Sequence, residues 1–323
     1  MFSDELLDQA AGRLSPFLHR TPVTYDARLD LHLKWESHQP TGSFKVRGAL
    51  NKILTLTPEE LRQGLVTASA GNHGQGVALA ARNTGTRAIV FASDHATPEK
   101  ISAMRSMGAE VRLVAGGYAL AEQTALAHAH TSQMTWISPY NDTQVITGQG
   151  TIGLELLEII QKHQIKAIIV PAGGGGLVSG IGMALTRCHP RPRLVAVQSE
   201  ASPFLYHLYQ RGSQKDVDEL PSLADGLAGA VEEGSLTISL TQRLVDEFIL
   251  VSEEQIARAM AYAAIKYNEC VEGSAAVALA AVLSGRVKVH PSLAVITGKN
   301  VQAEIFTAII QRYQLIINEE YPG

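Results

Sequence analysis

The run Pro171-Ala-Gly-Gly-Gly-Gly-Leu177 constrains the fold more than any other stretch of the chain. The apolar, β-branched run Ala167-Ile-Ile-Val170 precedes it, and a second apolar stretch, residues 177–187, follows. A short apolar strand, a glycine turn and a helix make half of a βαβ unit, and such units build parallel sheets covered on both faces. The alternation recurs. Strand-like runs at 65–69, 87–92, 110–114, 193–197 and 292–296 alternate with helical runs at 76–82, 98–105, 119–129 and 301–313. The expected class is therefore α/β, with parallel sheets flanked by helices. Breaks near Arg47 and near Gly148 predict two lobes: a small one, residues 48–147, and a larger one, residues 1–47 with 148–323.

Bulk properties exclude several partners. Of 323 residues, 18% are charged and the net charge is -4, so neither nucleic acid nor an anionic membrane is expected. No apolar run approaches a membrane span, and the acidic start Met-Phe-Ser-Asp-Glu is unlike a secretory leader. Cys188 and Cys270 give neither a disulfide framework nor a metal-ligand spacing. A soluble cytoplasmic protein without a metal is expected.

Ligands of such sheets bind beyond the carboxyl ends of the strands, which directs attention to the segments just after them. In the glycine run, several backbone N–H groups can converge on one anion, helped by the dipole of the following helix. The spacing is not G-x-G-x-x-G, which argues against a dinucleotide. The alternative is a structural turn, for which four glycines carry a large entropic cost. A second loop, Ala68-Ser-Ala-Gly-Asn-His-Gly-Gln-Gly76, also joins a strand to a helix. Its Ser69, Asn72 and main-chain amides suit a carboxylate; the alternative is a helix capped by Ser or Asn. The third signal is Lys45, in Pro40-Thr-Gly-Ser-Phe-Lys-Val-Arg47. It falls in a first helical turn, where the dipole favours anions. Desolvation beside Phe44 and that dipole both favour the neutral amine, the form that makes a Schiff base with an aldehyde. The alternative is a lysine that reaches out to solvent. An aldehyde-binding lysine, a phosphate-binding loop and a carboxylate loop together describe pyridoxal 5′-phosphate and an amino acid.

The motifs "QPTGSFKVRGA", "ASAGNHGQGVA", "ITGQGTIGLE", "PAGGGGL", "SLADGLAG", "VEGSAAVALAA" and "VITGKN" occur here in the order found in fold-type II pyridoxal-phosphate enzymes. From Arg20 to Asn300 the chain resembles the serine/threonine dehydratase and serine racemase branch of that family. The resemblance implies a two-lobed, tryptophan synthase β-like architecture. It implies that Lys45 bonds the cofactor with Phe44 against the ring, and that Asn72 meets the phenolic oxygen. Gly173, Gly174, Gly175, Gly176 and Leu177 would bind the phosphate, with Gly226 and Glu272 lining the cofactor. Ser69, Ala70, Asn72 and His73 would receive the substrate. Thr297 would meet the pyridine nitrogen. A hydroxyl is too weak an acid to hold that nitrogen protonated, so it donates a hydrogen bond to a neutral ring, which suits β-elimination. The alternative for Thr297 is a helix cap near Asn300.

The chain departs from the family in four respects. Ala70 stands where the racemases have a serine that moves protons. Gln198 and Phe204 stand where metal-dependent relatives have carboxylates, leaving Glu200 alone, so no divalent site is expected. Lys299 replaces a common glycine. The chain ends one helix after Asn300, so the regulatory domain of long threonine dehydratases is not expected. The implied activity is dehydration and deamination of a small β-hydroxy amino acid, L-threonine or L-serine, by a homodimer or higher homo-oligomer. Within the family the alternatives are serine racemase and a dehydratase for hydroxyaspartate, phenylserine or a hydroxyectoine-derived substrate. Outside it they are a non-catalytic cofactor-binding protein, disfavoured by Lys45, and a nucleotide-binding oxidoreductase, disfavoured by the loop spacing.

Overall fold

The computed structural model describes residues 3–322. In chain order it contains α1 (Asp4–Leu14), β1 (Val23–Asp26), β2 (Leu31–Trp35), α2 (Lys45–Ile53), α3 (Pro58–Gln63), β3 (Leu65–Ala68), α4 (Asn72–Thr84), β4 (Ala88–Ser93), α5 (Pro98–Ser106), β5 (Glu110–Val114), α6 (Tyr118–Ser132), β6 (Thr135–Trp136) and α7 (Thr143–His163). It continues with β7 (Ala167–Pro171), α8 (Gly176–Leu185), β8 (Arg193–Ser199), α9 (Phe204–Arg211), α10 (Leu236–Leu244), β9 (Glu247–Val251), α11 (Glu253–Tyr267), α12 (Gly273–Leu283), β10 (Ser292–Ile296) and α13 (Ala303–Glu320). The chain forms two compact units. One takes the segment up to His19 and Gln39–Ile152; the other takes Arg20–His38 and the segment from Gly153 on. These boundaries differ from the expected 47 and 148, because α1 packs on α2 and draws the amino-terminal segment into the first unit.

The first unit is built on a four-stranded parallel sheet ordered β5-β4-β3-β6. Its central strands β3 and β4 are buried on both faces, as expected for a parallel sheet flanked by helices. Ala88, Val90 and Ala92 of β4 join Leu50 and Ile53 of α2, Val77 of α4 and Met104 of α5. Ile89 and Phe91, one residue out of phase, join Ala125 and Ala129 of α6. Glycines permit close helix crossings. A Cβ at Gly76 of α4 would lie 3.1 Å from the nitrogen of Val46, in the first turn of α2. Where α2 meets α7, a Cβ at Gly148 would lie 2.7 Å from the Arg47 carbonyl oxygen and 2.8 Å from the Gly48 Cα.

The second unit has six strands ordered β1-β2-β10-β7-β8-β9. All neighbours are parallel except β1 and β2. The alanine-rich α12 is buried from Gly273 to Val282 and packs in one core with α11 and with Ile309, Tyr313 and Ile317 of α13. β2 carries a fully buried Lys34, whose Nζ donates to Thr21 O (2.8 Å) and to Glu155 Oε2 (2.5 Å). The nearby Glu36 carboxylate accepts from Thr21 Oγ1 (2.6 Å). A buried charge is tolerable only when its partners replace water in this way.

Candidate functional site

Phe44, Lys45, Ser69, Ala70, Asn72 and His73 all fall in the first unit. Lys45 is the first residue of α2, as the sequence predicts, and no side chain caps that helix. Its Nζ lies 5.3 Å from the centroid of the Phe44 ring and donates to Pro139 O at 3.3 Å. The loop between β3 and α4 supplies the other residues. Ser69 Oγ accepts from Gly71 N–H (3.1 Å), so it shapes the turn. Gly71 occupies the N-cap of α4 without a side-chain bond, and Asn72 is the first helical residue. Gly71, not Ser69 or Asn72, is therefore the cap residue of this helix, whose positive end favours an anion. His73 is buried, with Nε2 3.1 Å from Ile137 O and Nδ1 without a partner. Burial, and then the charge of Lys45, lower its pKa from 6.5 to about 3, so it is neutral at working pH.

The glycine loop, Gly226, Glu272 and Thr297 belong to the second unit. Gly175 is the N-cap of α8 with a φ of 86°, in the left-handed region, and again no side chain caps the helix. A Cβ there would lie 2.9 Å from the Thr237 Cβ, and one at Gly173 would lie 2.9 Å from the Leu227 Cα. Ala172 N–H donates to Val197 O (2.8 Å), and the next amide of this segment to donate within the chain, among the described residues, is Ser179, to Gly175 O (3.0 Å). The amides of the glycine run and first helical turn thus face an acceptor from outside. This bare cradle fits a phosphate group held by the main chain.

Gly226 N–H donates to Ser274 Oγ (2.9 Å), which ties its loop to the start of α12. Glu272 precedes α12; its amide donates to Gly298 O (3.1 Å) and its Oε2 accepts from Asn300 N–H (3.1 Å). It therefore braces the turn that carries Thr297. Thr297 is buried at the carboxyl end of β10 and is no helix cap, because α13 starts only at Ala303. Gln198 Oε1 accepts from Tyr206 N–H (3.1 Å). Among the described residues no group of three or more His, Cys, Asp or Glu is placed to hold a metal, and no helix is long and apolar enough to cross a membrane.

Sequence reasoning did not single out Pro139 and Thr67. Thr67 Oγ1 donates to Ile137 O (2.8 Å), and Pro139 reaches Lys45 only through its carbonyl. A main-chain acceptor leaves no residue-type signal. The rule of searching after strands would have found Pro139, but its strand β6 is two residues long.

A lysine beside an aromatic ring at a helix start in one unit, and an anion cradle at a helix start in the other, are the parts that a phosphorylated aldehyde cofactor would need. The family model described as "pyridoxal-phosphate dependent enzyme" matches residues 14–298, and the chain belongs to that family. The L-threonine ammonia-lyase of Thermotoga maritima is 38% identical over 97% of this chain and 79% of its own length. Among solved structures, the processed form of threonine deaminase isoform 2 from Solanum lycopersicum superposes with a TM-score of 0.86 at 28% identity, over 96% of this chain and 94% of its own. Maize serine racemase gives 0.87 at 30% identity, over 98% of each chain. The protein is a pyridoxal-phosphate enzyme with the α/β architecture of that family.

Proposed function

We propose that this enzyme dehydrates and deaminates L-threonine or L-serine, giving a 2-oxo acid and ammonia. The observation that carries the reading is Lys45, whose amine lies beside Phe44 at the start of α2. When bound, pyridoxal 5′-phosphate supplies the aldehyde and the electron-accepting ring that allow an α-proton and a β-hydroxyl to leave. Lys45 would hold the aldehyde through Nζ, and its amine is the base that would accept the α-proton. The amides from Gly173 to Leu177 would hold the phosphate, and Gly226 and Glu272 would line the cofactor. Asn72 would orient the ring through its phenolic oxygen. The Thr297 hydroxyl would donate to the ring nitrogen, being too weak an acid to protonate it. Ser69, Ala70 and the β3–α4 loop would orient the substrate carboxylate at the start of α4. The name of the Thermotoga relative supports the same substrate class, since threonine and serine each carry one β-hydroxyl that can leave. We place the enzyme in the cytoplasm, in keeping with its free Cys188 and Cys270, and as a homo-oligomer, in keeping with the exposed Leu315 and Ile316 on α13.

Purified protein loaded with the cofactor should release 2-oxobutyrate and ammonia in equal amounts from L-threonine, and pyruvate from L-serine. Release of a 2-oxo acid only from hydroxyaspartate or phenylserine would replace the substrate. Release from none of these would end the lyase reading.

A further inference from the structure

Lys45 donates to a carbonyl that its own element does not hold. Pro139 lies three residues beyond the end of β6, in the loop that leads to α7. That loop is pinned two residues earlier, at Ile137. Ile137 N–H donates to Val66 O (2.8 Å), although the strand has ended. Ile137 O accepts from Thr67 Oγ1 (2.8 Å) and faces His73 Nε2 (3.1 Å), so both of its lone pairs are engaged. Beyond it, Ser138 Oγ accepts from Asn141 N–H (2.9 Å), and the proline ring fixes the backbone at 139.

We infer that Thr67 and His73 are positioning residues for Lys45: together they fix the Ile137 carbonyl, and hence the Pro139 carbonyl on which the lysine amine rests. The inference rests on the reading of Lys45 as the residue that bonds the cofactor. A neutral amine has two N–H bonds and one lone pair. Anchoring one N–H on a fixed carbonyl restricts the directions open to the lone pair, which is the atom-level requirement for attack on an aldehyde or removal of a proton. Thr67 and His73 are both buried, and both act on the Ile137 carbonyl of the loop. His73 suits a fixed donor. The Ile137 carbonyl selects the tautomer with hydrogen on Nε2, and Nδ1 is left buried and bare. Its lowered pKa keeps that donor unchanged across the working range.

The test uses pyridoxal phosphate and borohydride on the full-length protein, freed of cofactor and then reloaded, and needs no amino-acid substrate. In the unmodified protein, reduction followed by peptide mapping should place the label on Lys45. A label elsewhere overturns the reading on which the inference stands. With the label on Lys45, Thr67→Val and His73→Leu should slow its formation on the order of tenfold, at melting temperatures that show a folded protein. His73→Gln, whose Nε2 can donate to the same carbonyl, should recover most of the rate. Thr67→Val keeps the side-chain shape, so it decides the matter even where His73→Leu fails to fold. Unchanged labelling rates in Thr67→Val and His73→Leu, or no recovery in His73→Gln, overturn the inference and leave the cofactor reading intact.

Discussion

His73 is a titratable side chain withdrawn from titration, and the consequence is measurable. An unfolded imidazole takes its proton near pH 6.5, whereas folded His73 holds out to about 3. Between those values the unfolded chain binds a proton that the native chain refuses, so native stability falls as the pH falls through that window. From pH 7.5 to 4.5 this one group should cost about 3 kcal/mol, at 1.36 kcal/mol per pH unit below 6.5. His73→Gln should lose correspondingly less over the same interval, as urea unfolding at the two pH values will read. An equal loss in parent and variant would mean that His73 is protonated in the native state. The sequence revealed Lys45 because a cation at a helix start is an anomaly that residue type alone discloses. It offered His73 as a residue that would receive the substrate, because the bond to a carbonyl 64 positions away leaves no local signal.

Helix α2 carries Lys45 at its first position, so whatever seats α2 seats the lysine. Gly148 permits α7 to approach α2 at the Arg47 carbonyl and the Gly48 Cα. A methyl group there meets the backbone of α2 and the Asn51 Cβ, and overpacking of this kind costs about 1–3 kcal/mol and moves the weaker element. Gly148→Ala should lower the melting temperature and reduce labelling of Lys45 by pyridoxal phosphate and borohydride. A fall in melting temperature with labelling unchanged would show that α7, not α2, gives way. The strands that the sequence revealed, among them β7 and β10, are mostly continuous apolar runs bounded by turns. Those it did not reveal had other causes. β6 is too short for any periodicity to register. β2 contains His32 and Lys34, which read as solvent-facing, and Lys34 is buried only because Glu155, 121 positions away, receives its charge. The division at His19 and Gln39 was hidden for the same reason: α1 joins the first unit by packing, which no local pattern announces.

Taken as a whole, the chain superposes about equally well on a threonine deaminase and on a serine racemase, so the fold does not choose between elimination and racemisation. Both reactions begin when a base removes the α-proton. They part at the next proton: racemisation needs one delivered to the α-carbon from the face opposite Lys45, and elimination does not. The resemblance to the racemases would put Ala70 where they have a proton-moving serine, and alanine has no exchangeable proton. His73, three residues on, is no substitute, because its one N–H faces Ile137 O and its Nδ1 stays unprotonated to about pH 3. Elimination should therefore dominate. An incubation with L-serine should yield pyruvate and little D-serine, and Ala70→Ser should raise the ratio of D-serine to pyruvate several-fold, read by chiral chromatography beside a 2-oxo acid assay. If the unmodified enzyme accumulates D-serine as fast as pyruvate, a proton reaches the second face by another route, and the racemase reading replaces the lyase one.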